Sequence, residues 1–264
     1  MERLDSKSII EILEKFGTSV KDLIQSLKII SENGLDVLIE NHMSEVFLIY
    51  THCYNLLAQL ECSDFASVDN ILQASRCEDV VTATNAYFNT IVDWDRFVAD
   101  LDRKYIEELR KTEVHARQIR NDASFELEDL LGGQKLTESD CQVVIIGYGK
   151  VDSAKCWKTD VGHAFNFPVY VDIDRISYAK FSMDRSFSKV CLSSAVSTYV
   201  EDFLLKKIPK PFGDNHYEGD DPLQNGGDII FDQTGQVVYK HLGDAANRPN
   251  IKDVIGKLKP TNIN

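Results

Sequence analysis

The chain has no proline before residue 168 and only two glycines, Gly17 and Gly34, before residue 132. All six prolines and the other twelve glycines follow. Because these two residue types disfavour helix interiors most strongly, the first part of the chain is free to form long helices. The part rich in proline and glycine predicts mixed strands and turns. We therefore expect a helical bundle or coiled-coil region over 1–131 and a second domain over 136–264, with the boundary near Leu131-Gly132-Gly133.

Basic residues are scarce, since 29 Lys and Arg stand against 42 Asp and Glu in 264 residues. The net charge of −13 argues against a nucleic-acid partner, because proteins that bind phosphate backbones carry a basic face. No apolar run reaches the roughly 18 residues of a membrane span. The first residues also lack the basic-then-apolar pattern of a signal peptide.

Cysteine is present but never as Cys-x-x-Cys, which excludes a zinc knuckle and a dense disulfide framework. This spacing predicts reduced thiols in a cytoplasmic protein, with no metal and no cofactor. The six cysteines are Cys53, Cys62, Cys77, Cys141, Cys156 and Cys191.

The first region predicts a succession of helices. The pattern Ser8-x-x-Glu11 resembles a capping box at the start of the first helix, which Gly17 is expected to end. A second helix is expected to run to Asn33-Gly34, where asparagine and glycine favour termination. The apolar pattern predicts a third, longer helix over 35–60. A fourth begins near Ser67 and breaks around residues 75–77.

From Val80 onward, apolar residues recur every 3.5 positions on average, which is typical of a coiled-coil or bundle seam. An apolar seam must be covered, so a helical protein partner through the seam at 88–109 is one interpretation, and a bundle without chemistry is the other. The isolated His42, His52 and His115 are expected at the surface or rim rather than as ligands. The seam residues are Phe88, Ile91, Trp94, Val98, Leu101, Tyr105 and Leu109.

Residues 91–102, Ile-Val-Asp-Trp-Asp-Arg-Phe-Val-Ala-Asp-Leu-Asp, resemble the C-terminal helix of the small coiled-coil subunit of the dynactin shoulder. That resemblance implies a non-enzymatic assembly subunit.

The second region reads as α/β. The β-branched run over 141–147 predicts a strand buried on both faces, followed by a helix that Asp152 or Ser153 can cap. Further expected elements are an extended piece over 167–172, a short helix over 174–183 and a helix over 194–205. A hairpin is expected where 229–231 and 237–239 flank a turn that contains glycine, and a helix over 251–258 closes the chain.

Ordered motifs in this region resemble the peroxiredoxin-like 2 group of the alkyl-hydroperoxide-reductase/thiol-specific-antioxidant (AhpC/TSA) superfamily. The resemblance covers roughly 136–258. It implies an α/β thioredoxin-like domain, so the whole chain is expected to be α+β. The motifs are Val143-Val144-Ile145-Ile146-Gly147-x-Gly149, Phe167-Pro168-Val169-Tyr170-Val171-Asp172-x-x-Arg175-x-x-Tyr178, Leu223-Gln224-Asn225-Gly226-Gly227 and Pro249-Asn250-Ile251-x-x-Val254-Ile255.

The resemblance implies chemistry on peroxides or prostaglandin-type endoperoxides with a thiol reductant, and at most a thiol-dependent peroxidase or oxidoreductase. The family carries Cys-x-x-Cys after its first core strand, a position expected here between residues 100 and 125. That stretch has no cysteine and reads as helix at 104–110, so no catalytic residue carries over.

The missing motif also removes a strand. Either another segment fills the gap between the 143–146 strand and the hairpin, or this half is destabilised, because unpaired buried backbone groups cost roughly 1–3 kcal/mol each. A third interpretation is a fusion or splice product that joins a helical protein to most of a thioredoxin-like one.

Among the remaining thiols, Cys156 is the candidate catalytic residue, because Lys155 and Lys158 could lower its pKa. The alternative is a half-buried structural cysteine, and Cys141 and Cys191 are interpreted as structural. By the resemblance, Gly226-Gly227 lets backbone approach the thiol site; otherwise the pair is a flexible strand entry.

Other polar candidates favour structural roles. Among Asp172, Asp174 and Asp184, two fit helix caps or first turns better than a metal site. The loop at 147–150 lacks the spacing of a nucleotide fingerprint, so nucleotide binding is not expected.

Overall fold

The computed structural model describes residues 4–116, 128–129, 143–160, 167–207, 220–232, 234–243, 249, 252 and 254. The chain divides into two compact units. The first, here called the helical unit, comprises Met1–Gln118 together with Phe187–Asn215, and the second, the mixed unit, comprises Ile119–Ser186 together with His216–Asn264. Residues 131–133, where we placed the domain boundary, lie outside the described residues, and that boundary stays a prediction.

The helical unit begins with one continuous helix, α1 (Ser6–Glu32), where we expected two. Asp5 caps it by accepting a hydrogen bond from Ser8 N at 2.7 Å, so the predicted Ser8 capping box was wrong by three residues. Gly17 lies buried inside the helix, where a Cβ would stand 3.5 Å from Thr90 Oγ1. A glycine packed closely against a neighbouring helix need not end its own helix, because packing outweighs its weak propensity.

The predicted long helix over 35–60 is instead three short ones, α2 (Leu35–Asn41), α3 (Met43–Val46) and α4 (Leu48–Gln59). The predicted break around residues 75–77 is confirmed, since α5 (Phe65–Ala74) ends at Ala74 and α6 (Glu78–Ala116) begins at Glu78. The helix predicted over 104–110 lies within α6.

The seam residues of α6 from Trp94 to Tyr105 are buried within the chain, whereas Leu109 is partly exposed. Trp94, Val98, Leu101 and Tyr105 are all at most 5% exposed. Phe88, which we placed on the seam, is 44% exposed, and Tyr87 is buried in its place. The prediction was wrong at Phe88 because a straight helix of 3.6 residues per turn drifts away from a 3.5-residue pattern.

Two helices from far along the sequence complete the helical unit: α9 (Phe187–Cys191) and α10 (Ser193–Leu204). α9 packs on α6, and α10 packs on α4, α6 and α9. The helix predicted over 194–205 is confirmed within one residue at each end. Cys191 is the last residue of α9.

The mixed unit contains β1 (Glu128–Asp129), β2 (Ile145–Gly147), α7 (Val151–Asp160), β3 (Val169–Val171), α8 (Ile176–Lys180), β4 (Gly227–Phe231) and β5 (Val237–Leu242). The predicted hairpin is confirmed as β4 and β5, with Gly235 in the turn at φ +82°. Of the helix predicted over 251–258, Lys252 and Val254 are described and both are helical.

The strands form two separate sheets. β3 pairs with β2 in parallel and with β1 in antiparallel fashion, giving the order β1-β3-β2. β4 and β5 form a second, two-stranded sheet. Within the described residues, no strand joins β2 to the hairpin in one sheet.

No helix in the described ranges is both long enough and apolar enough to cross a bilayer.

Candidate functional site

The carboxyl ends of β2 and β3 lie side by side and organise the polar residues of the mixed unit. Asp172, directly after β3, donates its backbone N–H to Gly147 O at 2.8 Å. Its carboxylate is only 3% exposed and accepts hydrogen bonds from Ile176 N at 2.9 Å and Ser177 N at 2.7 Å. Asp172 therefore caps α8, as its sequence position suggested, and its oxygens are occupied by backbone N–H groups.

Tyr178 connects α8 back to β2. Its hydroxyl donates a hydrogen bond to Ile146 O at 3.1 Å. Burial raises the pKa of Tyr178 to about 12. The phenol therefore remains protonated at neutral pH and acts as a donor to the strand rather than as a base.

A cluster of opposite charges lies beside these strand ends. Arg175, in the left-handed backbone conformation at φ 55°, places its guanidinium carbon 3.9 Å from the centre of the Tyr148 ring. The same guanidinium binds Asp221 at 2.5 Å, and Arg185 also forms an ion pair with Asp221. The Asp221 side chain is only 5% exposed, so both cations compensate one buried carboxylate.

The ion pair between Arg185 and Asp221 could not be predicted from the sequence. They stand 36 positions apart, and no local pattern relates them. Arg175 had been noted only as part of a family motif. The cluster holds a carboxylate between two cations and stacks one of them on an aromatic ring, an arrangement that fixes chain segments rather than presenting an acid, base or nucleophile.

The candidate thiol Cys156 is exposed on α7. It is the sixth residue of that helix, beyond the first turn whose free N–H groups could stabilise a thiolate. The two lysines that were expected to lower its pKa bind elsewhere. Lys155 Nζ lies 3.0 Å from Asp152 Oδ1, and Lys158 Nζ lies 3.3 Å from Phe167 O.

The other described thiols are less accessible. Cys53, Cys62 and Cys191 are buried, and Cys77 is intermediate. Burial raises the pKa of Cys53 to about 12, and it raises the pKa of Cys191 well above its usual range. Both are therefore neutral, unreactive thiols at neutral pH. Cys141 lies outside the described residues.

Gly227 has a packing role that corrects the expectation of a flexible strand entry. A Cβ on Gly227 would stand 2.5 Å from His241 O and 3.2 Å from Met183 Cε. The neighbouring Gly226 would meet nothing within 4 Å. Close approach of β5 therefore requires glycine at 227 and not at 226.

The described ranges offer no clustered metal ligands. No cluster of three or more His, Cys, Asp or Glu occurs there. His42 lies 3.0 Å from Glu45 on the surface, and His52 is half-buried in α4.

Residues 126–245, just under half of the chain, match the family model described as AhpC/TSA antioxidant enzyme. The match supports a thioredoxin-like, peroxiredoxin-like region in the C-terminal half, consistent with the α+β fold. Neither the curated proteins nor the solved structures contain a match to this chain. The dynactin-like resemblance of residues 91–102 therefore stays a prediction.

Proposed function

We propose that the C-terminal region is a thioredoxin-like protein of the AhpC/TSA type in which thiol peroxidase activity is impaired. The observation that carries the proposal is that α6 is a continuous helix as far as Ala116, across the described part of the stretch 100–125 where the Cys-x-x-Cys motif was expected. No cysteine occurs between Cys77 and Cys141 in the sequence. A peroxidatic thiolate that attacks the peroxide O–O bond, and a second thiol that reduces the resulting sulfenic acid, are both missing from that place.

The open edge of β2 supports the same proposal. In the described residues, β2 pairs with β3 alone, and the β4–β5 hairpin stands as its own sheet. Val144, Phe231, Val237 and Val238 are each at least 40% exposed. A strand that carried the motif would cover apolar residues of this kind and would present its thiol at the carboxyl end of the sheet.

Cys156 is the residual candidate for any thiol chemistry, because it is the exposed thiol among the described cysteines. A Cys156 thiolate could take one oxygen from a peroxide to form sulfenic acid and release an alcohol or water. An external thiol reductant would then restore it. The position of Cys156 in the middle of α7 supports a rate no greater than that of free cysteine.

The test is the loss of free thiols after hydrogen peroxide is added to the full-length chain, followed over time by mass spectrometry of each cysteine. We expect Cys156 to oxidise at the rate of free cysteine. The matched variants are Cys156→Ser and Cys77→Ser, which remove the exposed and the half-exposed thiol respectively. A rate about a hundredfold above free cysteine that disappears only in Cys156→Ser would refute the impairment.

A second candidate, assembly with a helical partner, is favoured by an apolar stripe on α6. Val81, Phe88, Val92 and Ile106 share one face at helical spacing, and each is at least 37% exposed. We call these four residues the outer stripe. We propose a partner at the outer stripe and not at the seam, because the seam residues from Trp94 to Tyr105 are buried by the chain itself.

Light scattering of the full-length chain over a concentration series tests the outer stripe, with a second copy as the available helical partner. We expect the mass to rise with concentration, and Phe88→Glu to abolish the rise. Ile29→Glu, at an exposed apolar position on α1, serves as the control. A mass that stays monomeric throughout counts against this interface.

The described cysteines, all free, support a reducing compartment such as the cytoplasm.

A further inference from the structure

Two carboxylates on α6 each cap a helix of the segment 187–204. Asp95 Oδ1 accepts from Ser193 N at 2.7 Å, and its Oδ2 accepts from Ser193 Oγ at 2.7 Å, at the start of α10. Asp102 Oδ1 accepts from Phe187 N at 2.7 Å, at the start of α9. Asp95 and Asp102 stand seven residues apart and therefore lie on one face of α6. This face binds two successive helix N-termini.

Two aromatic donors bind the end of α9. Trp94 Nε1 donates to Cys191 O at 2.7 Å, and Tyr50 OH donates to Val190 O at 2.5 Å. Both aromatic side chains are at most 2% exposed. Like the Asp–N–H contacts, these bonds are made to the main chain. The helical unit therefore binds main-chain groups of two successive helices, α9 and α10, as well as their side chains.

The side chains of the segment fill the space between these polar contacts. Phe187, Cys191, Val196 and Val200 are fully buried. The Phe187 ring meets Tyr105 edge-on at 5.9 Å between centroids. A fitting ligand has an aromatic residue at the start of its first helix, a hydroxyl at the start of its second, and aliphatic residues one turn apart.

The chain just before the segment is fixed by contacts that do not involve α6. Ser186 N donates to Leu223 O at 3.0 Å, and Asn225 Nδ2 donates to Asp184 O at 2.8 Å. These bonds join the chain just before the segment to the chain well after it, inside the mixed unit. None of these bonds involves residues 187–204, so displacement of the segment from α6 leaves them in place.

α1 packs on α4 and α6, the helices that also receive the segment. Leu13, Val20 and Leu27 of α1 are at most 2% exposed. The helical unit thus has apolar packing that belongs to residues 1–118 alone. We propose that the face formed by α4 and α6 is a binding groove for a short helix pair. Its resident ligand is residues 187–204, and the groove accepts the same sequence in trans once the resident copy is displaced.

The test uses the full-length chain with Val196→Asp, which places a charge at a fully buried position of the segment. A fluorescein-labelled peptide of residues 185–207 is titrated, and fluorescence anisotropy reports binding. We expect binding at least tenfold tighter to Val196→Asp than to the unchanged chain. Ser194→Asp, at an exposed position of α10, serves as the control and should bind no better than the unchanged chain.

Three further outcomes decide against the proposal. Equal binding to the unchanged chain and to the variant would mean that the groove is not closed in cis. A peptide that itself carries Val196→Asp and binds as well as the native peptide would mean that the contact is unspecific. Loss of hydrogen-exchange protection in α1 of the variant would mean that residues 187–204 are part of the core and not a ligand.

Discussion

Removal of the Asp95 carboxylate offers the sharpest measure of how firmly residues 187–204 are held. In Asp95→Ala, Ser193 N–H loses a charged acceptor at the start of α10, which costs about 1–2 kcal/mol. The Ser193 hydroxyl loses a second bond, worth about 0.5–1.5 kcal/mol. The sum is near 2 kcal/mol once partial compensation by water is allowed. Since 1.4 kcal/mol is tenfold, we expect opening of the segment to rise about thirtyfold.

Hydrogen exchange followed by mass spectrometry measures this opening in the full-length chain. Asp93→Ala is the matched control, two residues away on the same helix. Asp93 pairs with Arg96 at 2.8 Å while 49% of its side chain is exposed, and such surface pairs contribute at most about 1 kcal/mol. Both substitutions change helix propensity equally. Exchange in α10 should therefore accelerate only in Asp95→Ala.

Two results would refute the reasoning. One is an effect in Asp95→Ala no larger than in Asp93→Ala, which would show that the cap contributes nothing measurable. The other is equal acceleration in α1 and α10, which would show that the carboxylate supports the whole helical unit and not the docking of one segment.

Three other predictions concern separate parts of the chain. Gly227→Ala should destabilise the hairpin by about 1–3 kcal/mol, since its Cβ would collide with the facing strand, whereas Gly226→Ala should not; hydrogen exchange in β4 distinguishes them. Burial lowers the pKa of His52 below its usual 6.5, so the unfolded chain binds a proton at a higher pH than the folded chain does. The free energy of unfolding should therefore fall as pH drops through 6.5. Urea unfolding at pH 7.5 and 5.5 should show the fall, and His52→Gln should make the fall smaller. Maleimide should label Cys156 at least tenfold faster than Cys191 in peptide mass mapping, and equal rates would contradict the burial of Cys191.

Local pattern was sufficient for much of the secondary structure. The hairpin, the break after Ala74 and the strand at 169–171 were all predictable, because turn residues and β-branched runs act over a few positions. The helix end predicted at Gly17 was wrong, since the packing of Gly17 against Thr90 depends on a helix more than seventy residues away. The boundaries inside 35–60 were missed for a similar reason, because short helices are selected by tertiary contacts rather than by propensity.

The candidate site was predictable only where one residue acts on its neighbours. Asp172 binds the first N–H groups of a helix that begins only four residues later, so a capping role was within reach of local pattern. The Asp221 carboxylate and the two arginines that compensate it meet only after the chain has folded. The same limit applies to Asp95 and Ser193. Ordinary helix residues gave no signal that α6 would bind a segment almost a hundred positions later.

The entry of α9 and α10 into the helical unit has a consequence for synthesis of the chain. A ribosome releases Gln118 well before Leu204, and at roughly 5–20 residues per second the 86 residues between them take on the order of 4–17 s. During that interval Trp94 and Tyr50 lack the carbonyl groups to which they donate in the finished protein. The nascent N-terminal helices thus expose apolar residues of α4 and α6 until the later segment is synthesised and covers them.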